Sequence, residues 1–157
     1  MELGLVYAAL GAALASILPG IGSAIAVSWA GQAGAGYLTE EDNFGNILVL
    51  QALPATQGIY GLLIAFVLAS KVGIIGGGHV MVTAEQGLQL LLGALPLAVV
   101  GLVSALFQGK ASVASIHLIA KRGEKFGNAL ILPSMVETFA ILALLVSFLM
   151  ISGINVG

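Results

Sequence analysis

Leu130-Ile-Leu-Pro-Ser-Met-Val-Glu137-Thr-Phe-Ala-Ile-Leu-Ala-Leu-Leu-Val-Ser-Phe-Leu-Met150 is the stretch that decides the fold. Between Ala129 and Ile151 the single charged residue is Glu137. As a helix this run reaches about 35 Å at ~1.5 Å per residue, enough to cross the ~30 Å hydrocarbon core of a bilayer. An ionised carboxylate is costly at that depth, so an intramembrane Glu marks a site of function. The rest of the chain bears on what Glu137 holds.

Composition agrees with a membrane reading throughout. Of 157 residues, 59% are hydrophobic and only 8% charged, against about 25% charged in soluble domains. Mean hydropathy is +1.12. A net charge of −2 offers no basic patch, which argues against a nucleic-acid partner. With no cysteine there is no disulfide, thiolate chemistry or cysteine metal site. The opening Met1-Glu-Leu-Gly4 lacks the positive leader of a signal peptide, so the first apolar segment is expected to remain in the mature protein.

Four apolar segments are predicted as helices, over residues 3–33, 45–70, 87–120 and 127–152. The chain also repeats. A shift of 82 superposes Phe44-Gly-Asn46 on Phe126-Gly-Asn128. It also pairs Leu48 with Leu130, Leu50 with Leu132, Thr56 with Thr138, Ile59 with Ile141, Leu62-Leu63 with Leu144-Leu145, and Phe66 with Phe148. Upstream, a shift of 81 pairs Gly20 with Gly101 and Ser23-Ala24 with Ser104-Ala105. The expected fold is an all-α integral membrane protein made of a duplicated transmembrane hairpin, residues 1–80 and 81–157. Glu137 falls opposite Ala55, so one carboxylate serves two hairpins.

Lys121, Arg122 and Lys125 between the third and fourth helices predict a cytoplasmic loop. Both termini and the Lys71–Gln86 connection are then expected outside, with the acidic Glu40-Glu41-Asp42 loop inside. The protein is expected in the cell membrane, in contact with lipid.

The second helix carries polar groups suited to face Glu137. Leu53, Thr56, Gln57 and Tyr60 are spaced to share one helical face. Pro54 removes a backbone donor and could turn carbonyl oxygens toward a ligand; the competing reading is that Thr56 bonds back to its own helix. Gln108 on the third helix lies at a similar depth. A membrane Gln alone is more often glue between helices. Together these groups present oxygens only, which suits a hard cation. One negative charge matches a monovalent ion; a proton would need only Glu137, and the extra oxygens favour Na+.

These residues carry a resemblance. Leu53-Pro-Ala-Thr-Gln-Gly-Ile-Tyr-Gly61, Phe107-Gln-Gly-Lys110 and Met135-Val-Glu-Thr138 make the chain similar to the rotor-ring proteolipid (of the K or c type) of V-type ATPases, and closely to the bacterial Na+-translocating form. The resemblance implies Na+ held by Glu137, Gln108, Gln57, Thr56 and the Leu53 carbonyl, with Tyr60 bonded to the glutamate. It further implies a ring of identical subunits, a stator subunit whose arginine meets the glutamate, and a central-stalk subunit at the cytoplasmic loops. Such a proteolipid translocates its ion by rotation and does not itself hydrolyse ATP. The chain also lacks a complete P-loop, since the run ending at Gly109-Lys110 misses the first Gly and the closing Ser/Thr. Two rivals stay open: a proton-carrying rotor subunit using the same Glu137, and a small secondary transporter.

Elsewhere the chain suggests structure more than chemistry. Gly11, Ala15, Gly20, Gly22, Ala24 and Ala26 permit close helix approach, equally along a ring's inner circle or inside one hairpin pair. Trp29 and Tyr37 read as interfacial anchors, and Lys110 as a snorkelling cation. His79 and His117 read as surface residues.

Overall fold

The computed structural model describes residues 2–37, 44–78, 80–122 and 125–156. The Glu40-Glu41-Asp42 loop and His79 lie outside the described residues. Helix α1 spans Glu2–Ala35; α2 spans Phe44–Ala52, followed by a 3-10 turn at Leu53–Ala55 and by α3 at Thr56–Lys71; α4 spans Ala84–Lys121 and α5 Phe126–Ser152. Among the described residues there is no strand. Among the described residues, four helical stretches are long and apolar enough to cross a membrane, α2 and α3 acting together as one of them. Helix α4 has 38 residues, about 57 Å at ~1.5 Å per residue, so it extends well past a ~30 Å core.

Between the hairpins, Gly73, Gly76 and Gly77 take positive φ and turn the chain back. Thr83 then starts α4 with a capping box: its hydroxyl accepts from Gln86 N–H at 3.2 Å, and Gln86 Oε1 accepts from Thr83 N–H at 2.9 Å. Gln86 Nε2 also donates to the Asn155 carbonyl at 2.9 Å, and Lys71 Nζ to that of Ser152 at 3.2 Å. These bonds tie the ends of both hairpins together.

The tightest seam joins α1 to α4. A Cβ on Gly22 would stand 2.7 Å from the Leu102 carbonyl oxygen, and one on Gly109 2.6 Å from the Ala26 Cβ. The small residues therefore act largely within the chain. Gly11, Ala15, Gly22 and Ala26 are buried, while Ala24 faces outward and Gly20 is half-buried. With no hydrophobic drive between helices in lipid, close backbone packing of this kind holds them together.

Pro54 breaks its span with the 3-10 turn while Pro96 and Pro133 lie inside α4 and α5, and beside each of the three a serine on a facing helix takes up a backbone group. At the Pro54 distortion, Gly58 N–H donates to Ser23 Oγ at 3.0 Å. Pro133 cannot donate to the Ala129 carbonyl, which instead accepts from Ser115 Oγ at 2.7 Å. One residue after Pro96, Leu97 N–H donates to Ser147 Oγ at 3.0 Å. Water is not available in the membrane core for this repair, so the serines supply it.

Candidate functional site

The 3-10 turn at Leu53–Ala55 is the local feature on which the site is built. Because Pro54 cannot extend a regular α-helix, the turn tightens and Thr56 N–H bonds to the Leu53 carbonyl. The Thr56 hydroxyl donates to that same carbonyl at 2.9 Å. Thr56 thus bonds back to its own helix, and its oxygen sits beside the Leu53 oxygen rather than apart from it. The hydroxyl is also 3.4 Å from Gln57 Oε1.

Gln57 and Gln108 are fully buried and bonded to one another, Gln57 Nε2 donating to Gln108 Oε1. Gln108 Nε2 is shared between the Pro133 carbonyl at 3.1 Å and Glu137 Oε2 at 3.4 Å. The other carboxylate oxygen, Oε1, accepts from the Tyr60 hydroxyl at 2.6 Å. Both oxygens of Glu137 therefore face donors, as an acceptor-only carboxylate requires. Glu137 is half-buried, at the outer edge of the cluster. It lies 11 residues into α5, about 16 Å from that helix's start at ~1.5 Å per residue, a mid-membrane depth.

The structure brings together all six residues singled out in the sequence: Leu53, Thr56, Gln57 and Tyr60 from the second span, Gln108 from α4 and Glu137 from α5. Lys110 is not among them. It is exposed, with its ammonium 5.4 Å from the centre of the Phe107 ring. His117 is exposed and meets Tyr37 edge-on at 5.8 Å. Two supporting groups were not visible to sequence reasoning. The Pro133 carbonyl orients Gln108, and Ser23 holds the backbone after Pro54. A signal for both existed, since a proline in a membrane helix implies partners nearby for the groups it frees.

Chemically, the cluster offers one carboxylate, two amide oxygens, a hydroxyl and a carbonyl, with an apolar surround. Such a set can hold a small hard cation or a proton, and it contains no nucleophile–base arrangement.

Two apolar hairpins with a single carboxylate among buried amides define a multi-pass membrane proteolipid with one polar site. More particularly, the chain belongs to the ATP synthase C-subunit family, whose pattern matches it twice, over residues 10–68 and again over 91–150. The two matches begin 91 − 10 = 81 residues apart and end 150 − 68 = 82 apart, the same offsets as the internal repeat. Proteins of this family form rings in the membrane sector of the ATPase. The V-type sodium ATPase subunit K of Enterococcus hirae is 42% identical over 149 residues, covering 94% of this chain and 92% of that protein. The A-type ATP synthase subunit K of Methanocaldococcus jannaschii is 36% identical over 154 residues, covering 98% of this chain and 65% of its own length.

Proposed function

We propose that this chain is the ion-carrying rotor subunit of a V-type ATPase membrane sector and that its cargo is Na+, bound at Glu137. The observation that carries this reading is the chain of hydrogen bonds that links four neutral oxygen-bearing groups, Leu53, Thr56, Gln57 and Gln108, to one carboxylate, where a proton alone would need none of them. The similarity to a protein named for a sodium ATPase supports it. Leu53, Thr56, Gln57 and Gln108 supply neutral ligands, Glu137 supplies the charge, and Tyr60 fixes the carboxylate.

In the arrangement seen, the Gln108 amide nitrogen donates to Glu137 Oε2. That nitrogen occupies the side of the carboxylate that a cation would take. The Thr56 hydroxyl keeps its proton on the Leu53 carbonyl and offers a lone pair to the ion.

The loaded site is neutral overall and can pass through lipid, while the bare carboxylate cannot do so cheaply. A stator arginine facing Glu137 would lower sodium affinity and release the ion, which gives rotation its direction. The central stalk would engage the cytoplasmic loops. The termini lie on the non-cytoplasmic side, as the Lys121, Arg122 and Lys125 cluster favours. A proton-carrying rotor is the second reading, since Glu137 alone suffices to carry a proton and Tyr60 and Gln108 hold its carboxyl group without a cation.

The test is equilibrium binding of radioactive sodium to the assembled protein. One saturable site per chain, lost in Glu137→Gln, is the expected result. Absence of saturable binding in the intact protein overturns the sodium reading.

A further inference from the structure

Helix α3 starts inside a membrane-spanning stretch. Its first residue carries the Thr56 hydroxyl, and the 3-10 turn before it carries the Leu53 carbonyl. A helix start leaves its first N–H groups without partners in the helix, and the membrane core has no water to take them. The residue just before a helix ordinarily caps them with its side chain. Before α3 that residue is Ala55, which makes no side-chain cap. Its backbone is also helical, at φ −81° and ψ −18°, whereas a side chain caps the following turn from an extended backbone. Thr83 shows the usual arrangement at α4, with ψ 159° and its hydroxyl on the Gln86 N–H. Because the 3-10 turn runs straight into α3, a side chain at position 55 points away from the orphan groups. The cap has to come from another helix.

Ser23 of α1 supplies it. Its Oγ accepts from the N–H of Gly58, the third residue of α3, at 3.0 Å. That N–H is one a capping side chain usually takes. Glycine at 58 permits the approach, since a Cβ there would stand 3.3 Å from Ser23 Oγ and 3.6 Å from the Gly20 Cα.

The second hairpin offers a comparison within the chain. Ser104 is the counterpart of Ser23 at a shift of 81, and Ala140 that of Gly58 at a shift of 82. Val136 stands where Pro54 does, and α5 runs from Phe126 to Ser152 without a 3-10 turn. Ala140 therefore sits well inside a helix that partners its own N–H groups. Ser104 is buried like Ser23, yet its Oγ donates to the Gly101 carbonyl of its own helix at 3.3 Å. The same serine reaches across helices only in the half that carries the neutral ligands of the turn.

The site accordingly has two separately held parts. The Glu137 oxygens are held by the Tyr60 hydroxyl and the Gln108 amide, and Tyr60 lies beyond the first turn of α3. The Leu53 carbonyl and Thr56 hydroxyl, 2.9 Å apart, belong to the turn that Ser23 holds. A bound cation draws on both parts, a proton on Glu137 alone.

We propose that Ser23 is a positioning residue for sodium: by capping α3 from α1 it fixes the Leu53 and Thr56 oxygens, and so sets the affinity for the ion apart from the hold of Glu137 on a proton. Without the cap, the acceptor next in line for Gly58 N–H is the Pro54 carbonyl four residues back. Taking it winds the turn toward regular α geometry and shifts both oxygens. The role assigned to Ser23 rests on the sodium reading of the site and adds to it a residue that touches no ion.

Carbodiimide labelling of Glu137 in the assembled protein reads the two parts separately. Labelling against pH without sodium reports the proton. The sodium concentration that halves labelling, at fixed pH and ionic strength, reports the ion. Ser23→Ala should raise that concentration roughly 2- to 12-fold, the span of one hydrogen bond's net worth, and leave the sodium-free pH profile as in the parent. Ser104→Ala should change neither. Ser23→Cys, close in size and a poor acceptor, should shift the sodium requirement in the same direction, and it is the deciding variant where the alanine protein does not assemble. An unchanged sodium requirement in the Ser23 variants, an equal rise in Ser104→Ala, or a pH profile that moves along with it overturns the positioning role. Failure of sodium to protect the parent protein overturns the sodium reading as well, so the two failures are told apart.

Discussion

Replacing Thr56 by Val removes one oxygen from the site and little else. The two side chains have similar shape, and Thr56 is half-buried rather than packed in the core. Its hydroxyl makes the 2.9 Å bond to the Leu53 carbonyl. That carbonyl still accepts from the Thr56 N–H afterwards, so the substitution orphans no backbone group. The thermal midpoint should consequently move little. Sodium binding should suffer more, because the ion loses one of its neutral ligands in a place water cannot reach. Loss of such a group costs about 1–3 kcal/mol, which at about 1.4 kcal/mol per factor of ten is roughly 5- to 150-fold in affinity. Thr56→Ser keeps the oxygen and should stay within about threefold of the parent, under ~0.7 kcal/mol. Calorimetric sodium titration of the purified oligomer, at fixed pH and ionic strength, measures both. Unchanged affinity in Thr56→Val, or an equal loss in Thr56→Ser, would refute the assignment of the hydroxyl as a ligand.

Three further outcomes follow from named contacts. Gln108→Leu leaves the buried Gln57 Nε2 without its partner and should destabilise the protein by about 1–3 kcal/mol; adding Gln57→Leu should recover part of that loss while sodium binding stays weak, which a double-mutant cycle on unfolding and sodium titration would reveal. Gly109→Val drives a side chain into Ala26 on α1, and overpacking there should cost about 1–3 kcal/mol in detergent unfolding, whereas the same change at Gly127, with open space around it, should not. Ser112 Oγ is buried with no hydrogen-bond partner among the described residues, so Ser112→Ala should leave stability unchanged or raise it by up to about 1 kcal/mol in the same assay.

Much of this was legible because membrane sequences restrict where polarity can go. Four apolar runs could only be spanning helices, and the Phe-Gly-Asn triplet at 44–46 and 126–128 exposed the duplication. Glu137 stood out as the one charge in its segment. Leu53, Thr56, Gln57 and Tyr60 were linked by helical spacing alone, and the structure does place them on one face. Pairings across helices were not legible. Nothing in the spacing says that Gln57 bonds Gln108, or that Gln108 reaches the Pro133 carbonyl, because these depend on helix rotation and approach. The role of the small residues was ambiguous for the same reason. Gly22 and Ala26 turn inward to α4, while Ala24, two residues from each, turns outward; composition cannot tell these faces apart until a partner helix is placed. Pro54 announced a distortion, but only the structure shows it as a 3-10 turn with Ser23 holding Gly58.

Carbodiimide labelling of Glu137 tests the central claim most directly, since the reagent attacks the protonated acid at the carboxylate itself. With sodium absent, Glu137 should label readily, and more slowly as pH rises and the acid loses its proton. Sodium and the proton compete for the same oxygens. Added Na+ should suppress labelling at fixed pH and ionic strength, and the concentration needed should rise as pH falls. K+ at equal ionic strength controls for screening and should protect far less. Labelling that follows pH yet ignores sodium over a wide concentration range would contradict the account and leave Glu137 as the carrier of a proton.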